Sequence, residues 1–359
     1  MASGYTAQPT AQPTAQPTAQ PTGVGAPARA EGRRAMAEAG INIALVKYWG
    51  KRDDALNLPA VGSLSLTLSP WGSRTEVRWE EGAPHSFTLN GVTAPDRKVE
   101  RLLDHVREVA WGSEGGARWG ARVESHNTVP TAAGLASSAS GMAALGLAAW
   151  SAAGLGGWDP LSGVIPPPLL EAVRVGSGSA PRSLLGGLVR LEQSGRELRQ
   201  LAGPGEWPLS LLVGVVSKGP KETSSRDGMG LTRETSPFYE AWVRDHPADL
   251  EAATRAVGAR DLEALGEVME RSTYKMHACA WAARPPLRYL RGVSLDLLDA
   301  VAALRRQGVG AWATMDAGPH VKVLCSPADA PRVEVALRAV PGALDVLTLA
   351  PGEGARLLG

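Results

Sequence analysis

The sequence contains very little cysteine. Only Cys279 and Cys325 occur in 359 residues, far apart and without the spacing of a metal site. This usage argues against a disulfide framework and against a structural zinc site. It fits a reducing cytoplasm, which is the expected compartment.

Neither sign of charge is in excess. The 37 Lys and Arg side chains nearly balance the 36 Asp and Glu side chains, which gives a formal net charge of +1. A general attraction to nucleic acid or to an anionic membrane is therefore not expected. Any binding of phosphate groups must be local.

Targeting and membrane segments are also lacking. The N-terminus has no basic region followed by an apolar run, so it is not typical of a secretory signal. Residues 131–155 carry no charge and are long enough to span a bilayer, but most of them are Ala, Gly and Ser. Small side chains gain little from lipid, so we predict a buried helix and expect no membrane partner.

A short repeat marks the N-terminal region. Residues 7–22 are four tandem copies of Ala-Gln-Pro-Thr, and a proline in every fourth position blocks helix and sheet ladders. We predict a disordered tail over residues 1–34. A ligand for a partner domain is the alternative interpretation of the repeat.

The hydrophobic pattern of the rest predicts an α+β protein with two lobes, residues 35–205 and 206–359. Strands are predicted at residues 41–46, 64–68, 75–79, 86–89, 118–125, 187–191, 209–216, 311–315 and 321–324. Helices are predicted at 97–109, from the small-residue segment to 153, around 169–173, and at 237–245, 247–257, 261–274 and 295–306. Pro247 is assigned to the first turn of its helix, where its missing N–H costs nothing.

The segment 130–141 combines small residues with serines. It lacks the Gly-Lys-Ser/Thr of a P-loop, but small side chains let backbone N–H groups approach an anion at the start of a helix. Ser137, Ser138 and Ser140 could add hydroxyl groups to phosphate or magnesium. Tight helix packing through small residues explains the segment equally well, and both interpretations stay open.

Three further segments carry polar groups that suit an anionic ligand. Lys47 and Lys51 follow an apolar strand, and Arg182 ends a Gly/Ser-rich segment at 176–183. Asp316 lies at the end of a strand, where it could accept a proton from a hydroxyl group. Taken singly, each segment is also explained as solvated lysines, a flexible turn or a turn-forming aspartate.

The motifs together resemble the mevalonate diphosphate decarboxylases. Asn-Ile-Ala-x-x-Lys-Tyr-Trp-Gly-Lys-Arg-Asp at 42–53, Leu-Asn-Leu-Pro at 56–59 and Ser-Leu-Ser-Leu-Thr-Leu at 63–68 are specific to that family. The segments 224–229, 277–278 and 316–319 follow in the family's order. The resemblance implies the two-lobed GHMP-kinase-like fold, with an N-terminal lobe like ribosomal protein S5 domain 2 and a ferredoxin-like C-terminal lobe.

The activity implied by the resemblance is the ATP- and Mg²⁺-dependent decarboxylation of (R)-5-diphosphomevalonate. The products would be isopentenyl diphosphate, ADP, phosphate and CO₂, and the enzyme would be a homodimer. A phosphomevalonate decarboxylase and a mevalonate 3-kinase-like enzyme are the alternatives. An enzyme that only phosphorylates would be expected to lose the set of Asp316, Lys47 and Arg182, which this sequence retains.

The resemblance also implies roles for individual residues. Asp316 would orient or deprotonate the substrate's 3-hydroxyl, Lys47 would neutralise charge near the transferring phosphoryl group, and Arg182 would hold the substrate carboxylate. The other substrate-binding positions are Tyr48, Trp49, Gly50, Lys51, Arg97, Ser177, Gly178, Ser179, Ala180, Pro181 and Arg226. The ATP-binding positions are Asn127, Pro130, Ala133, Gly134, Leu135, Ala136, Ser137 and Ser138, with Ser137 meeting the ATP-bound Mg²⁺.

Three departures from the family pattern bear on the site. Pro181 stands where the family usually has Cys, and His320 replaces the usual Asn after Asp-Ala-Gly-Pro. Gly40-Ile41 replaces the common Pro-Thr before Asn42. None of them removes a charged catalytic group, but His320 is expected to change the hydrogen bonding beside Asp316.

Overall fold

The computed structural model describes residues 33–128, 137–159, 163–219 and 223–359. The predicted tail at 1–34 falls almost wholly outside the described residues, and so does most of the small-residue segment, 130–136. Two strands form the basis of the fold, the first strand and the longest strand of the described ranges. Strand β1 spans Arg34–Val46, and β4 spans Ser63–Glu81.

The other elements complete a mixed α+β fold. The further strands are β2 (Lys51–Asp53), β3 (Leu58–Pro59), β5 (Ser86–Leu89), β6 (Val92–Thr93), β7 (Trp119–Asn127), β8 (Leu188–Leu191), β9 (Leu198–Ala202), β10 (Ser210–Val215), β11 (Ala311–Met315), β12 (Val321–Cys325), β13 (Asp345–Pro351) and β14 (Arg356–Leu358). The helices are α1 (Arg97–Gly116), α2 (Ser137–Ala152), α3 (Pro167–Gly176), α4 (Ser225–Thr235), α5 (Tyr239–Ala259), α6 (Leu262–Trp281), α7 (Gly292–Arg306) and α8 (Ala330–Arg338), with a 3₁₀ turn at Ala180–Ser183.

One 12-stranded sheet runs through both halves of the chain. Its main path is β11-β12-β10-β13-β4-β7-β5-β6, and β1 pairs with β4 and β14. Strand β13 pairs with β10 on one side and with β4 on the other, so the sheet continues from the C-terminal half into the N-terminal half. The predicted α+β class is confirmed, while the predicted boundary at 205/206 stays a prediction.

Alternation along β1 and β4 separates a core face from a polar face. Ile41 pairs with Leu68 and Ile43 with Leu66, and these four side chains pack into the core beneath α5 and α6. Asn42 pairs with Thr67 and points to the other side. Because side chains alternate with period two, one strand pair supplies both a core and a row of polar groups.

Two sequence predictions about element limits were wrong. Residues 64–68 and 75–79 belong to the single strand β4 rather than to two strands, and 237–245 and 247–257 belong to the single helix α5. Pro247 therefore lies inside a helix rather than in a first turn. A proline inside a helix costs about 3 kcal/mol. Tertiary contacts on either side offset this cost, since the indole of Trp242 donates to Trp49 O and the His246 ring bonds Lys47 O.

The small residues of α2 serve close packing. A side chain at Gly146 would collide with Val173 of α3, and Ser140 is buried with its hydroxyl 2.9 Å from that of Ser73. The described part of the chain contains no helix with the length and apolar character needed to cross a bilayer. The predicted buried helix is therefore confirmed from Ser137 onward.

We predict opposite effects for two glycine-to-alanine changes in neighbouring helices. Gly258→Ala in α5 meets open space, so it should stabilise the protein by about 0.5–1 kcal/mol through helix propensity. Gly266→Ala in α6 would drive its Cβ into the buried Trp312 ring, and overpacking of this kind costs about 1–3 kcal/mol. Denaturant midpoints of both variants test the pair; equal shifts of the same sign would contradict the packing seen here.

Candidate active site

A central cleft brings the predicted segments together. Its volume is ≈ 250 Å³, and residues from the end of β1, the 3₁₀ turn, α4 and the loop after β11 line it. Among the described lining residues, five are cationic and one is acidic; they are Lys47, Lys51, Lys98, Arg182, Arg226 and Asp316. Three of these cations, Lys47, Lys51 and Arg182, are buried, and positive charge placed in this way suits a ligand that carries several negative charges.

Lys47 and Asp316 form an ion pair at the inner end of the cleft. Lys47 Nζ lies 2.9 Å from Asp316 Oδ1 and also donates to Ala44 O at 2.9 Å. Burial lowers the pKa of Lys47 to about 8, against the opposing effect of Asp316. The Asp316 carboxyl is also desolvated, but Lys322 and Lys47 outweigh that effect and hold its pKa well below its usual range. Asp316 is therefore a carboxylate at neutral pH.

Arg182 is held by the polar face of the β1–β4 pair. Its guanidinium donates to Ser63 Oγ and to Asn42 Oδ1, the latter at 3.3 Å. The Asn42 amide in turn donates to Ser183 Oγ at 2.7 Å. Burial lowers the pKa of Arg182 to about 10, so the group remains charged at neutral pH. No carboxylate lies within ion-pair distance of it among the described residues, which leaves its charge available for an anionic ligand.

A second cationic group lies around Asn57. Asn57 Oδ1 accepts hydrogen bonds from Lys51 Nζ at 2.6 Å and from Arg226 at 3.4 Å. Its amide donates to the carbonyl oxygens of Arg174 and Val175, which fixes its orientation. Burial, with a further contribution from the charge of Arg226, lowers the pKa of Lys51 to about 8. Asp54 acts on Lys51 but forms its ion pair with Arg233. Among the described residues, neither Lys51 nor Arg226 has a carboxylate within ion-pair distance.

Two glycines are required by close contacts at the cleft. Gly178 lies against the Tyr48 hydroxyl. Gly50, with φ +96°, lies against Tyr239. A side chain at either glycine would collide with the neighbouring tyrosine. Trp49 is buried, and its indole N–H donates to Thr232 Oγ1 at 2.9 Å. Ser177, Ser179 and the 3₁₀ turn containing Ala180 and Pro181 lie next to these residues.

The predicted ATP-binding residues are only partly described. Pro130, Ala133, Gly134, Leu135 and Ala136 lie outside the described residues. Helix α2 begins at Ser137, and Ser138 lines the central cleft. Asn127 ends β7 and accepts a hydrogen bond from Ser73, which lines a second cleft of ≈ 330 Å³. Along the chain, the undescribed segment therefore runs from the edge of the second cleft to the start of α2.

The structure adds residues that the sequence did not single out. Lys98 lines the cleft, whereas Arg97 is exposed and is not among its lining residues. Asn57 connects Lys51 with Arg226, and Lys322 contacts Asp316. Asn57 could have been noticed within its motif at 56–59. Lys322 could have been noticed as a charged residue in the middle of an apolar strand.

The departures from the family pattern have local explanations. His320 is buried, and its Nδ1 accepts the N–H of Val216 at 3.1 Å, which fastens the loop after Asp316 to the end of β10. Gly40 lies at a β-bulge, where a side chain would meet Leu68 O at 2.8 Å. Pro181 occupies the start of the 3₁₀ turn, a position that needs no N–H donor.

The donor set of the cleft fits a magnesium ion that arrives with a nucleotide. The described residues contain no group of three or more His, Cys, Asp or Glu side chains able to hold a metal. Magnesium bound to phosphate keeps several waters and needs few protein ligands. Ser138, near the start of α2, lines the cleft and offers one hydroxyl group to such an ion.

We predict that anion binding in the cleft weakens above pH 8. Lys51 is charged below its pKa of about 8 and loses its charge as the pH rises, so it then stops attracting anions. Sulfate keeps a constant charge over this range, and its affinity measured by calorimetry should fall about tenfold between pH 7 and pH 9.5, which is about 1.4 kcal/mol.

A Lys51→Arg variant is the matched control. Arginine keeps its charge throughout, so the fall in sulfate affinity should be smaller, and the part that remains belongs to Lys47, whose pKa is also about 8. The same pH dependence in both proteins would show that Lys51 does not titrate as described.

Two family models and several known proteins point to one family. Residues 39–202 match the family model of the diphosphomevalonate decarboxylase-like N-terminal domain, and residues 211–346 match that of the mevalonate 5-diphosphate decarboxylase C-terminal domain. A diphosphomevalonate decarboxylase from Aspergillus fumigatus is 33% identical over 334 residues, which cover 86% of this chain and 81% of the relative.

Solved structures agree with the sequence relatives. Mevalonate diphosphate decarboxylase from Staphylococcus aureus superimposes with a TM-score of 0.82 at 34% identity, covering 91% of this chain and 98% of the other. A protein called MDDEF, in complex with MVAPP, AMPPCP and magnesium, superimposes with a TM-score of 0.80 at 35% identity, covering 90% and 98%. These similarities confirm the predicted GHMP-kinase-like fold. The chain therefore belongs to the diphosphomevalonate decarboxylase family.

Proposed function

We propose that the protein catalyses the ATP-dependent decarboxylation of (R)-5-diphosphomevalonate to isopentenyl diphosphate, ADP, phosphate and CO₂, a step of the mevalonate pathway. The observation that carries the proposal is the charge pattern of the central cleft, where the described lining residues include one carboxylate and five cations. The substrate and ATP together carry the negative charge that such a cleft needs. Family membership supports the same reaction.

Asp316 accepts a hydrogen bond from the substrate's 3-hydroxyl and orients its oxygen towards the γ-phosphoryl group of ATP. The carboxylate takes up the hydroxyl proton as the new oxygen–phosphorus bond forms and the bond from the γ-phosphorus to ADP breaks. A carboxylate with a pKa far below its usual range is a weak base, so orientation is its main contribution. Lys47 neutralises the charge that develops on the transferring phosphoryl group. Its ion pair with Asp316 holds the ammonium group beside the carboxylate that orients the substrate.

Arg182 binds the substrate carboxylate. Its planar fork matches the two carboxylate oxygens, and the contacts with Ser63 and Asn42 fix its direction. Once the 3-oxygen is phosphorylated, the C3–O bond breaks and inorganic phosphate leaves. The electron pair of the bond to the carboxyl carbon then forms the double bond, and CO₂ is released.

The diphosphate group binds at the end of the cleft around Asn57. Lys51, Arg226 and Lys98 supply three cations there, more than a monophosphate needs, and this favours the diphosphate over the monophosphate substrate. Backbone and hydroxyl groups complete the pocket; the residues are Tyr48, Trp49, Gly50, Ser177, Gly178, Ser179, Ala180 and Pro181. The role of Arg97 as a further contact stays a prediction.

ATP binds at the start of α2. The residues proposed for its phosphates are Pro130, Ala133, Gly134, Leu135, Ala136, Ser137 and Ser138, with Asn127 near the adenine. Ser137 would hold the ATP-bound Mg²⁺, which supplies electrostatic stabilisation of the phosphates when it is bound. We further infer a cytoplasmic homodimer with lobes at 35–205 and 206–359.

We expect CO₂ and ADP in equal amounts from the 5-diphosphate of mevalonate with ATP and Mg²⁺. Mevalonate and its 5-phosphate should give at most slow turnover, because they leave the cations around Asn57 partly uncompensated. Separate assays of CO₂ and ADP on the three substrates test this expectation. Absence of CO₂ from the diphosphate would refute the proposal, and ADP without CO₂ would indicate a kinase.

We also expect Asp316→Asn to lower kcat by about 10³-fold, because the amide is a poorer acceptor and carries no charge towards Lys47. ATP affinity, measured by calorimetry, should change by less than about threefold, which is about 0.7 kcal/mol. Asp245→Asn, which alters an exposed aspartate paired with Lys275, is the matched control and should keep normal turnover. Residual activity within tenfold of the unaltered protein would remove Asp316 from its assigned role.

A further inference from the structure

Both oxygens of the Asp316 carboxylate are held by lysine. Lys47 Nζ lies 2.9 Å from Oδ1, and Lys322 Nζ lies 2.9 Å from Oδ2. The two ammonium groups come from distant parts of the chain, the end of β1 and the middle of β12. Asp316 itself remains partly exposed to the cleft, with a side-chain exposure of 32%. The two lysines thus fix the carboxylate, and part of it stays accessible from the cleft.

Lys322 lies in the middle of an apolar strand at the centre of the C-terminal part of the sheet. It pairs with Thr314 of β11 and Val213 of β10, and its neighbours Val321 and Val323 are fully buried. Its side chain is 5% exposed, and within the described ranges Asp316 is its only ion-pair partner. Placing an ammonium group there is costly unless it is paired, so the strand aims this lysine at one carboxylate oxygen.

The two lysines differ in their relation to the cleft. Lys47 is among the residues that line it, whereas Lys322 is not. Under the proposed function, Lys47 also neutralises the transferring phosphoryl group, so its interaction is divided between that group and Asp316. Lys322 has no such second partner, and its contact with Asp316 can persist while Lys47 responds to the nucleotide.

We propose that Lys322 is a positioning residue, which holds Oδ2 of Asp316 so that Oδ1 stays directed at the substrate hydroxyl throughout phosphoryl transfer. This inference rests on the proposed function, since it concerns the same carboxylate. It assigns to a residue outside the cleft the task of keeping the orienting group charged and fixed.

The charges around Asp316 give the proposal a direction that can be measured. In the described part of the chain, four groups act on the carboxylate: Lys47 just after β1, Lys322 from β12, Arg182 from the 3₁₀ turn and His277 from α6. His277 is neutral above pH 5, because burial lowers its pKa to about 3, and Arg182 remains charged to about pH 10. Lys322 lowers the pKa of Asp316 and also that of Lys47. Removing its charge must raise both values.

The test is Lys322→Met, which keeps an unbranched side chain one atom shorter and removes its charge. We expect kcat to fall about 10²-fold, the size of effect seen when one group that stabilises charge is removed, with KM for both substrates nearly unchanged. The acidic and basic limbs of the pH profile of kcat should both move to higher pH. Lys322→Arg keeps the charge and should restore the profile. If the methionine variant does not fold, Lys322→Gln provides the same loss of charge.

Two further measurements separate positioning from structural damage. Lys275→Met removes another lysine paired with aspartates, on the far side of α6, and should leave kcat and the pH profile unchanged. A carbon-13 titration of labelled aspartate, with Asp316→Asn for assignment, should show a higher pKa for Asp316 in Lys322→Met, and this result does not depend on turnover. The proposal would be overturned if, in Lys322→Met, neither limb of the pH profile of kcat nor the titration of Asp316 moved. Absence of CO₂ from the unaltered protein would refute the proposed function alone.

Discussion

The pairing of β1 with β4 is the constraint on which the fold and the cleft both depend. Its period-two alternation sends Ile41, Ile43, Leu66 and Leu68 into the core beneath α5 and α6. The opposite face carries Asn42 and hydroxyl side chains, which hold the 3₁₀ turn and Arg182. A shift of register by one residue would exchange the two faces, so the core that stabilises the sheet also fixes the position of the guanidinium.

Buried positive charge is the second constraint. The cleft holds lysine and arginine in places where an uncompensated cation is costly, and burial accordingly lowers the pKa values of Lys47 and Lys51 to about 8. Asp316 and the amide oxygen of Asn57 offset part of this cost in the free protein. An anionic ligand offsets the rest, which couples ligand binding to the stability of the cleft.

The sequence allowed the identity of the main groups to be predicted, but not the contacts among them. Lys47, Arg182 and Asp316 could be found because their motifs are continuous in the chain. Lys322 and Asp316 are only six positions apart, yet their contact depends on the turn that brings β12 back beside β11. Local patterns also misplaced the limits of α5. The contacts of Trp242 and His246 that carry the helix past Pro247 come from residues 193 and 199 positions away, which no local pattern can show.

The arrangement of lysines explains why a carboxylate can work in so cationic a cleft. A carboxylate held by one lysine would lose orientation whenever that lysine turned towards a phosphate group. With Lys322 fixed in a central strand, the loss is confined to Oδ1, and the freed oxygen gains capacity to accept the hydroxyl proton as Lys47 moves its charge to the nucleotide. Lys47 and Lys322 lie equally close to the carboxylate, at 2.9 Å each. Sharing of Lys47 with ATP would therefore raise the pKa of Asp316 and strengthen it as an acceptor at the step where the 3-hydroxyl attacks. The order of charge movement, rather than the basicity of Asp316 in the free protein, then sets when the hydroxyl can react.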